Sequence, residues 1–183
     1  MLLSFHRMGA RLRRLHVLVD EAALPIAELH RERLQCRRGC ADCCVDGLGV
    51  FEVEAEVIAR EHAELLAYGT PHPEGACAFL DVDGSCRIYP HRPYVCRTQG
   101  LPLRWLDEGA DEEPVERRDI CPLNDHGEPL ELLPAEACWT LGPFEQALRE
   151  LQAEGGRALR RVELRSLFAV GQASSSTTPT RSS

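Results

Sequence analysis

The chain has 183 residues, of which 44% are hydrophobic, and it carries a formal net charge of −8. This size and composition predict one folded domain, and the acidic balance argues against a nucleic-acid partner, which would need a basic face. All 21 basic residues are Arg, which excludes catalysis by a lysine Schiff base or a lysine general base.

The N-terminal segment, residues 1–35, is predicted to be an amphipathic helix that leads to the first cysteine. Apolar residues recur there at spacings of three and four, which is the pattern of one helix face. Pro25 interrupts the pattern and predicts a kink or a restart nearby. The apolar positions are Leu12, Leu15, Val19, Ala22, Ile26 and Leu29.

Further helices are predicted at Glu52 to about Leu66 and at Pro143 to Gln152, and residues 157–170 are expected to form a helix or an extended arm. Asp83-Gly84 lies between apolar runs and predicts a β-hairpin turn. The expected fold is mainly α and irregular, a small metal-stapled domain with a short β-hairpin. We expect a cysteine-rich unit at 36–125, a helical region at 126–170 and a disordered tail at 171–183.

Four cysteines fall within nine residues, in the run CRRGCADCC at positions 36–44. The spacing Cys40-x2-Cys43 lets one tight turn direct two thiolates at a metal. Adjacent side chains usually point in different directions. Cys43 and Cys44 therefore either bind different metals, or one of the two is a spare or bridging ligand. Four cysteines clustered in this way are far stronger evidence for a metal site than a single buried cysteine would be.

A second, looser group of cysteines follows, with Cys77 and Cys86 on either side of the predicted hairpin and Cys96 and Cys121 beyond it. Together the two groups supply eight thiols, the number that two tetrathiolate sites need. The ninth cysteine, Cys138, lies next to Trp139 and is expected to be a small buried apolar residue.

Other residues near the cysteines are candidate supports for a metal site. Arg87, Arg92 and Arg97 could donate hydrogen bonds to the sulfurs and favour thiolates, with Arg92 and Arg97 preferred. His91 is the one histidine near the second group that is considered as a ligand. No Ser-His-Asp arrangement, glycine-rich phosphate loop or HExxH motif is visible in the sequence.

The motif Cys36-x3-Cys40-x2-Cys43-Cys44, together with Cys86-Arg-Ile-Tyr and Arg92-Pro93-x2-Cys96-Arg97, resembles the CxxCxxCC cysteine-cluster family of YkgJ-like proteins. That family is described as a zinc- or iron-chelating domain, and its members are often labelled iron–sulfur oxidoreductases. The resemblance covers about residues 36–121. It implies a metal site made by Cys36, Cys40, Cys43, Cys44, Cys77, Cys86, Cys96 and Cys121.

These observations predict a protein that holds zinc or iron through eight thiolates, in a structural or metal-handling role. The alternative is an iron–sulfur oxidoreductase or a cluster-dependent modifying enzyme, since a flagellin lysine methylase is similar in its cysteine cluster. A thiol–disulfide oxidoreductase using Cys40 and Cys43 ranks last, because the strand-then-helix context of such a motif is missing.

The expected location is the cytoplasm. No stretch approaches the roughly 18 apolar residues of a membrane span, and residues 1–19 do not resemble a secretory signal. Clustered thiols in a reducing compartment bind metal more often than they form disulfides. The sequence identifies no protein partner.

Overall fold

The computed structural model describes residues 2–107, 113–156 and 158–169. The predicted mainly α, irregular fold is confirmed. The helices are α1 (Leu2–Leu29), α2 (Glu52–Glu61), α3 (Ala63–Tyr68), α4 (Tyr94–Thr98) and α5 (Pro143–Glu154). The expected disordered tail and the acidic residues 108–112 lie outside the described residues.

The strands form two small sheets. In the first sheet, β1 (Gly49–Phe51) pairs antiparallel with β5 (Arg161–Glu163), so a segment near the first cysteines is joined to the C-terminal part of the chain. In the second, β2 (Leu103–Asp107) pairs antiparallel with β3 (Val115–Asp119) and parallel with β4 (Trp139–Thr140). Neither sheet is predicted by the sequence patterns.

Helix α1 packs one face into the larger core, as its periodicity predicts, and it continues through Pro25 for another turn. Leu12 and Val19 are almost fully buried. Ala23 rather than Ala22 completes the buried face, and Leu29 at the end of the helix is 65% exposed. The apolar stripe therefore ends before the helix does.

Helix α2 lies between two apolar clusters and is the element that joins them. Val53 and Val57 pack into the cluster that contains α1, α4 and α5. Ala55 and Ile58 pack into a second cluster, which contains the segment around Phe79 and the C-terminal residues near Phe168. The predicted helix at 52–66 is split at His62, where α2 ends and α3 begins.

Candidate metal centre

The first cysteine segment is a loop of consecutive turns that follows α1. The backbone N–H of Cys40 donates to the carbonyl of Arg37 at 2.9 Å, and that of Cys44 donates to Ala41 at 2.8 Å. Gly39 has a φ of +84°, a conformation that glycine adopts at little cost. The two turns therefore fold the segment that carries four cysteines into a compact loop.

The second segment contains the predicted hairpin turn. The Asp81 N–H donates to the Ser85 carbonyl at 2.8 Å, and the Arg87 N–H donates to Phe79 at 2.9 Å. A bridge between Leu80 and Cys86 holds the two arms together, although no extended strands form. The hairpin also contacts the first segment directly, because the Cys77 N–H donates to the Cys44 carbonyl at 2.8 Å.

Helix α4 brings Cys96 to the site, and the buried carboxylate of Glu54 fixes the start of that helix. Glu54 is 2% exposed, and its Oε1 accepts hydrogen bonds from the Tyr94 N–H at 2.7 Å and from His16 Nε2 at 3.0 Å. Its Oε2 accepts a hydrogen bond from the Phe51 N–H at 3.3 Å. One carboxylate thus ties α1, the start of α2 and the Cys96 helix together.

Cys121 and Cys36 are connected through the fully buried side chain of Asn124. Its amide nitrogen donates to Cys36 Sγ at 3.5 Å and to the Gly100 carbonyl at 2.8 Å, while its amide oxygen accepts from the Gln35 N–H at 2.8 Å. The Asn124 N–H in turn donates to the Cys121 carbonyl at 2.7 Å. A Cβ on Gly100 would lie 2.6 Å from Cys36 Sγ, so the glycine leaves room for the sulfur.

Burial and neighbouring charges raise the pKa values of several thiols in the site. Burial raises the pKa of Cys121, and the thiolates of Cys43, Cys36 and Cys40 raise it further. The eight thiols are free, as is Cys138, so each is available as a ligand after losing its proton.

A different set of sulfurs surrounds Cys96. Burial raises its pKa, and the charges of Cys77, Cys86, Glu54 and Cys43 add to the effect. The pKa of Cys44 is raised by its hydrogen bond with Cys43, by burial and then by the charges of Cys43, Cys77 and Cys96. The crowding of thiolates is unfavourable unless a cation neutralises them.

The predicted arginines donate no hydrogen bond to the cysteine sulfurs. Burial raises the pKa of the Cys86 thiol, but the charges of Arg92 and Arg87 oppose that rise. Arg97 donates to Asp20 of α1 at 2.6 Å and to the Pro90 carbonyl, and Arg92 donates to Asp20 at 3.4 Å. The Arg87 guanidinium donates to the Ala78 carbonyl at 2.7 Å. These guanidiniums instead hold the chain around the cysteines, because carboxylates and carbonyls are stronger acceptors than thiol sulfur.

The other candidate ligands are engaged elsewhere. His91 Nδ1 lies 2.9 Å from His62 Nε2, so the two imidazoles share a hydrogen bond. Cys138 is 3% exposed and packs with Leu133 and Ala137 in a small separate cluster, the environment expected of a small apolar residue.

Sequence reasoning missed Asn124, Glu54 and a clamp made by Arg165. The Arg165 guanidinium donates to Asp46 at 2.7 Å and to the carbonyls of His72 and Ala76, both at 2.8 Å. It therefore holds the residues that follow Cys44 against those that precede Cys77. No spacing or composition marks these three residues, because their roles depend on segments distant in the chain.

The donor chemistry fits zinc or iron, since both metals bind thiolate sulfur. Within residues 2–107, 113–156 and 158–169, however, no three His, Cys, Asp or Glu side chains are already arranged to hold an ion. Hydrogen bonds nevertheless join the segments that carry the thiols, as between Cys77 and Cys44 and between Asn124 and Cys36. Over the same part of the chain, no helix has both the length and the apolar character needed to cross a membrane.

The fold and the gathered thiols define a small, mainly α, cysteine-rich domain of the metal-chelating class. Residues 35–122 match the model of the CxxCxxCC family, whose description is "Putative zinc- or iron-chelating domain". Neither a curated protein nor a solved structure matches the chain.

Proposed function

We propose that this protein binds zinc or iron through eight cysteine thiolates and that the metal holds its irregular loops in place. The observation that carries the proposal is the meeting of three distant segments, the 36–44 loop, the 77–86 hairpin and α4, around free thiols. The backbone contact between Cys77 and Cys44 and the thiol electrostatics at Cys96 support this arrangement.

The structural role follows from how little regular structure surrounds the thiols. The segments that carry them are turns, a hairpin bridge and a five-residue helix, which by themselves provide few backbone hydrogen bonds. A bound metal can contribute roughly 10 kcal/mol or more to the folding of such a domain. The same arrangement would also suit a protein that takes up and releases metal.

The test is elemental analysis with an ultraviolet–visible spectrum, on full-length protein purified without air. About two zinc ions per chain and no visible absorbance would support the proposal, since tetrahedral zinc takes four thiolates. Iron with acid-labile sulfide and a broad visible absorbance would identify the iron–sulfur alternative. Protein that is folded and free of metal after aerobic and anaerobic preparation would contradict both.

The free state of all nine cysteines supports a reducing location, and we propose the cytoplasm. The metal-binding unit is proposed to span residues 36–125, with the N-terminal helix and the 126–170 region packed against it. Helix α1 contributes Leu12 and Val19 to the same core as Tyr94 of α4, so the helix supports the unit directly.

A further inference from the structure

The end of α1 and the 126–137 loop flank an open cavity of about 690 Å³. Two hydrogen bonds tie these walls together. His30 Nε2 donates to the Ala137 carbonyl at 2.8 Å, and the Arg33 guanidinium donates to the Glu128 carbonyl. The residues that line the cavity lie outside residues 35–122, which the family model matches. The cavity is therefore a feature of the flanking segments and not of the cysteine cluster.

The wall of this cavity contains a buried arginine without a counter-charge. Arg33 is 7% exposed, whereas arginines that are this deeply buried are normally paired with a carboxylate. Within residues 2–107, 113–156 and 158–169, Arg33 forms no ion pair, and its Nη1 atom is buried without a hydrogen-bond partner. Such a guanidinium carries an uncompensated charge, which is unfavourable until an anion pairs with it.

The loop at Gly127 is shaped to approach the Arg33 guanidinium closely. Gly127 has a φ of +83°, a conformation that glycine adopts at little cost. A Cβ atom at this position would lie 3.5 Å from Arg33 Nη2 and 3.9 Å from Nε, so the backbone passes directly beside the guanidinium. The loop therefore holds Arg33 at the cavity wall, but it supplies only a neutral carbonyl acceptor.

Apolar side chains form another part of the lining. Leu133 and Ala137 are 6% and 2% exposed and continue into the small cluster around Cys138, and Pro134 lies between them in the chain. Leu29, at the end of α1, is 65% exposed on the same cavity. An apolar group placed here would cover Leu29, which gains free energy by leaving water. The cavity thus offers an apolar surface next to a buried cation.

The exposed part of the lining is mainly acidic. Glu28, Glu32 and Glu128 are exposed residues of the cavity, with Arg31 as the exposed basic residue among them. Three carboxylates disfavour a simple anion such as phosphate, and they attract a cationic group on the same ligand. A ligand that satisfies the whole lining therefore carries both a negative and a positive charge.

We propose that this cavity binds a small zwitterion of the amino-acid type that has an apolar side chain. Its carboxylate pairs with Arg33, its ammonium group faces the glutamates, and its side chain packs on Leu29, Leu133 and Pro134. The volume lies within the range of roughly 300–1,000 Å³ that small-molecule sites occupy. The inference goes beyond the proposed function, because it does not depend on the metal that the cysteines bind.

The first experiment titrates ¹⁵N-labelled, full-length wild-type protein with L-leucine and follows the amide NMR shifts. We expect saturable shifts at Leu29, Arg33 and Ala137, with a dissociation constant of about 1 mM or tighter, which is within reach of so small a ligand. Shifts that do not saturate by about 10 mM leucine, or that occur only in other parts of the chain, would overturn the proposal.

Two analogues of leucine test the charges on the unaltered chain. Leucinamide lacks the carboxylate and should bind at least about tenfold more weakly, because the charge-assisted pair with Arg33 is lost. The compound 4-methylpentanoate lacks the ammonium group and should bind about threefold more weakly, since the glutamates are exposed and their charges are screened. Equal affinity of either analogue and leucine would refute the corresponding contact and with it the zwitterion assignment.

A variant then separates a binding role of Arg33 from a structural one. Arg33→Gln keeps an N–H donor for the Glu128 carbonyl but removes the charge. It should weaken leucine binding at least about tenfold and leave leucinamide binding unchanged, whereas damage to the loop would weaken both ligands equally. Arg149→Ala, on exposed α5, is the control and should bind leucine as wild type does. Wild-type leucine affinity in Arg33→Gln, or an equal loss for both ligands, would contradict the proposal.

Discussion

The side-chain amide of Asn124 donates a hydrogen bond to the Sγ atom of Cys36 at 3.5 Å, although 88 residues separate the two in the chain. The same amide nitrogen donates to Gly100, and the amide oxygen accepts from Gln35. A single buried side chain therefore joins the start, the middle and the end of the cysteine-rich region. Such a group is costly to remove, because the Gly100 carbonyl would lose its hydrogen bond in a buried position.

Asn124→Ala is expected to lower the free energy of unfolding by about 2 kcal/mol, because the buried Gly100 carbonyl and the part-buried Gln35 N–H lose their partners. Urea denaturation of metal-loaded protein would measure the change. Asp125→Ala, at the exposed neighbouring position, is the control and should change stability by about 0.5 kcal/mol or less. Asn124→Asp tests the amide N–H donor separately. Its carboxylate would place an oxygen acceptor, instead of the N–H donor, against the Gly100 carbonyl. Equal stability of Asn124→Ala and the control would refute the role of Asn124.

Glu54→Ala is expected to destabilise the protein by roughly 2 kcal/mol or more, because the Tyr94 and Phe51 N–H groups and His16 lose their acceptor. Chemical denaturation would measure the change in unfolding free energy. The same variant should weaken zinc binding by Cys96, whose helix would no longer be fixed at its start, and a competing chelator would report this. Glu64→Ala on exposed α3 provides the comparison and should leave both quantities near wild type.

Arg165→Ala should release residues 72–76 from the segment after Cys44, because one guanidinium holds both. We expect a loss of about 2 kcal/mol in unfolding free energy and faster cleavage of this loop in limited proteolysis. Arg149→Ala is the matched variant, since Arg149 is exposed and pairs with Glu145 of its own helix at 3.3 Å in an i,i+4 ion pair. Unchanged proteolysis of Arg165→Ala would show that the clamp is not needed.

Cys43→Ser and Cys138→Ala should differ in metal content. Cys43→Ser is expected to lose metal and to lower the melting temperature, because it removes one of the eight proposed thiolate ligands. Cys138→Ala should lose about 1 kcal/mol from a small cavity and keep its metal, since Cys138 packs in a separate cluster. Elemental analysis and a thermal melt of both variants would check this. Wild-type metal content and melting temperature in Cys43→Ser would contradict the assignment.

Removing the metal with a strong chelator is expected to lower the melting temperature of wild-type protein, because metal bound only by the folded chain stabilises it by mass action. Adding zinc back under reducing conditions should restore the original melt. A melting temperature that does not change on chelation, in protein shown by elemental analysis to have lost its metal, would rule out a structural role and favour metal handling.

Patterns among residues close in sequence predicted the turns and helices, which are formed by contacts between such residues. The turn at Asp83-Gly84 is present because both residues favour the required backbone conformation, and Gly84 has a φ of +77°. Helix α5 begins at Pro143 as its sequence predicts, and α1 buries Leu12 and Val19. The β2–β3 pair was missed because its buried and exposed positions do not alternate, so the period-two signal of a half-buried strand is weak.

The sequence by itself determined that the protein has a cluster of thiols suited to metal and that residues 35–122 carry it, because ligand type and close spacing are properties of the chain. The tertiary structure decided which distant cysteines approach each other and that Asn124, Glu54 and Arg165 hold them there. It also turned Arg92 and Arg97 towards Asp20 rather than towards sulfur. These contacts join segments separated by tens of residues, and no local preference of the backbone encodes such pairings.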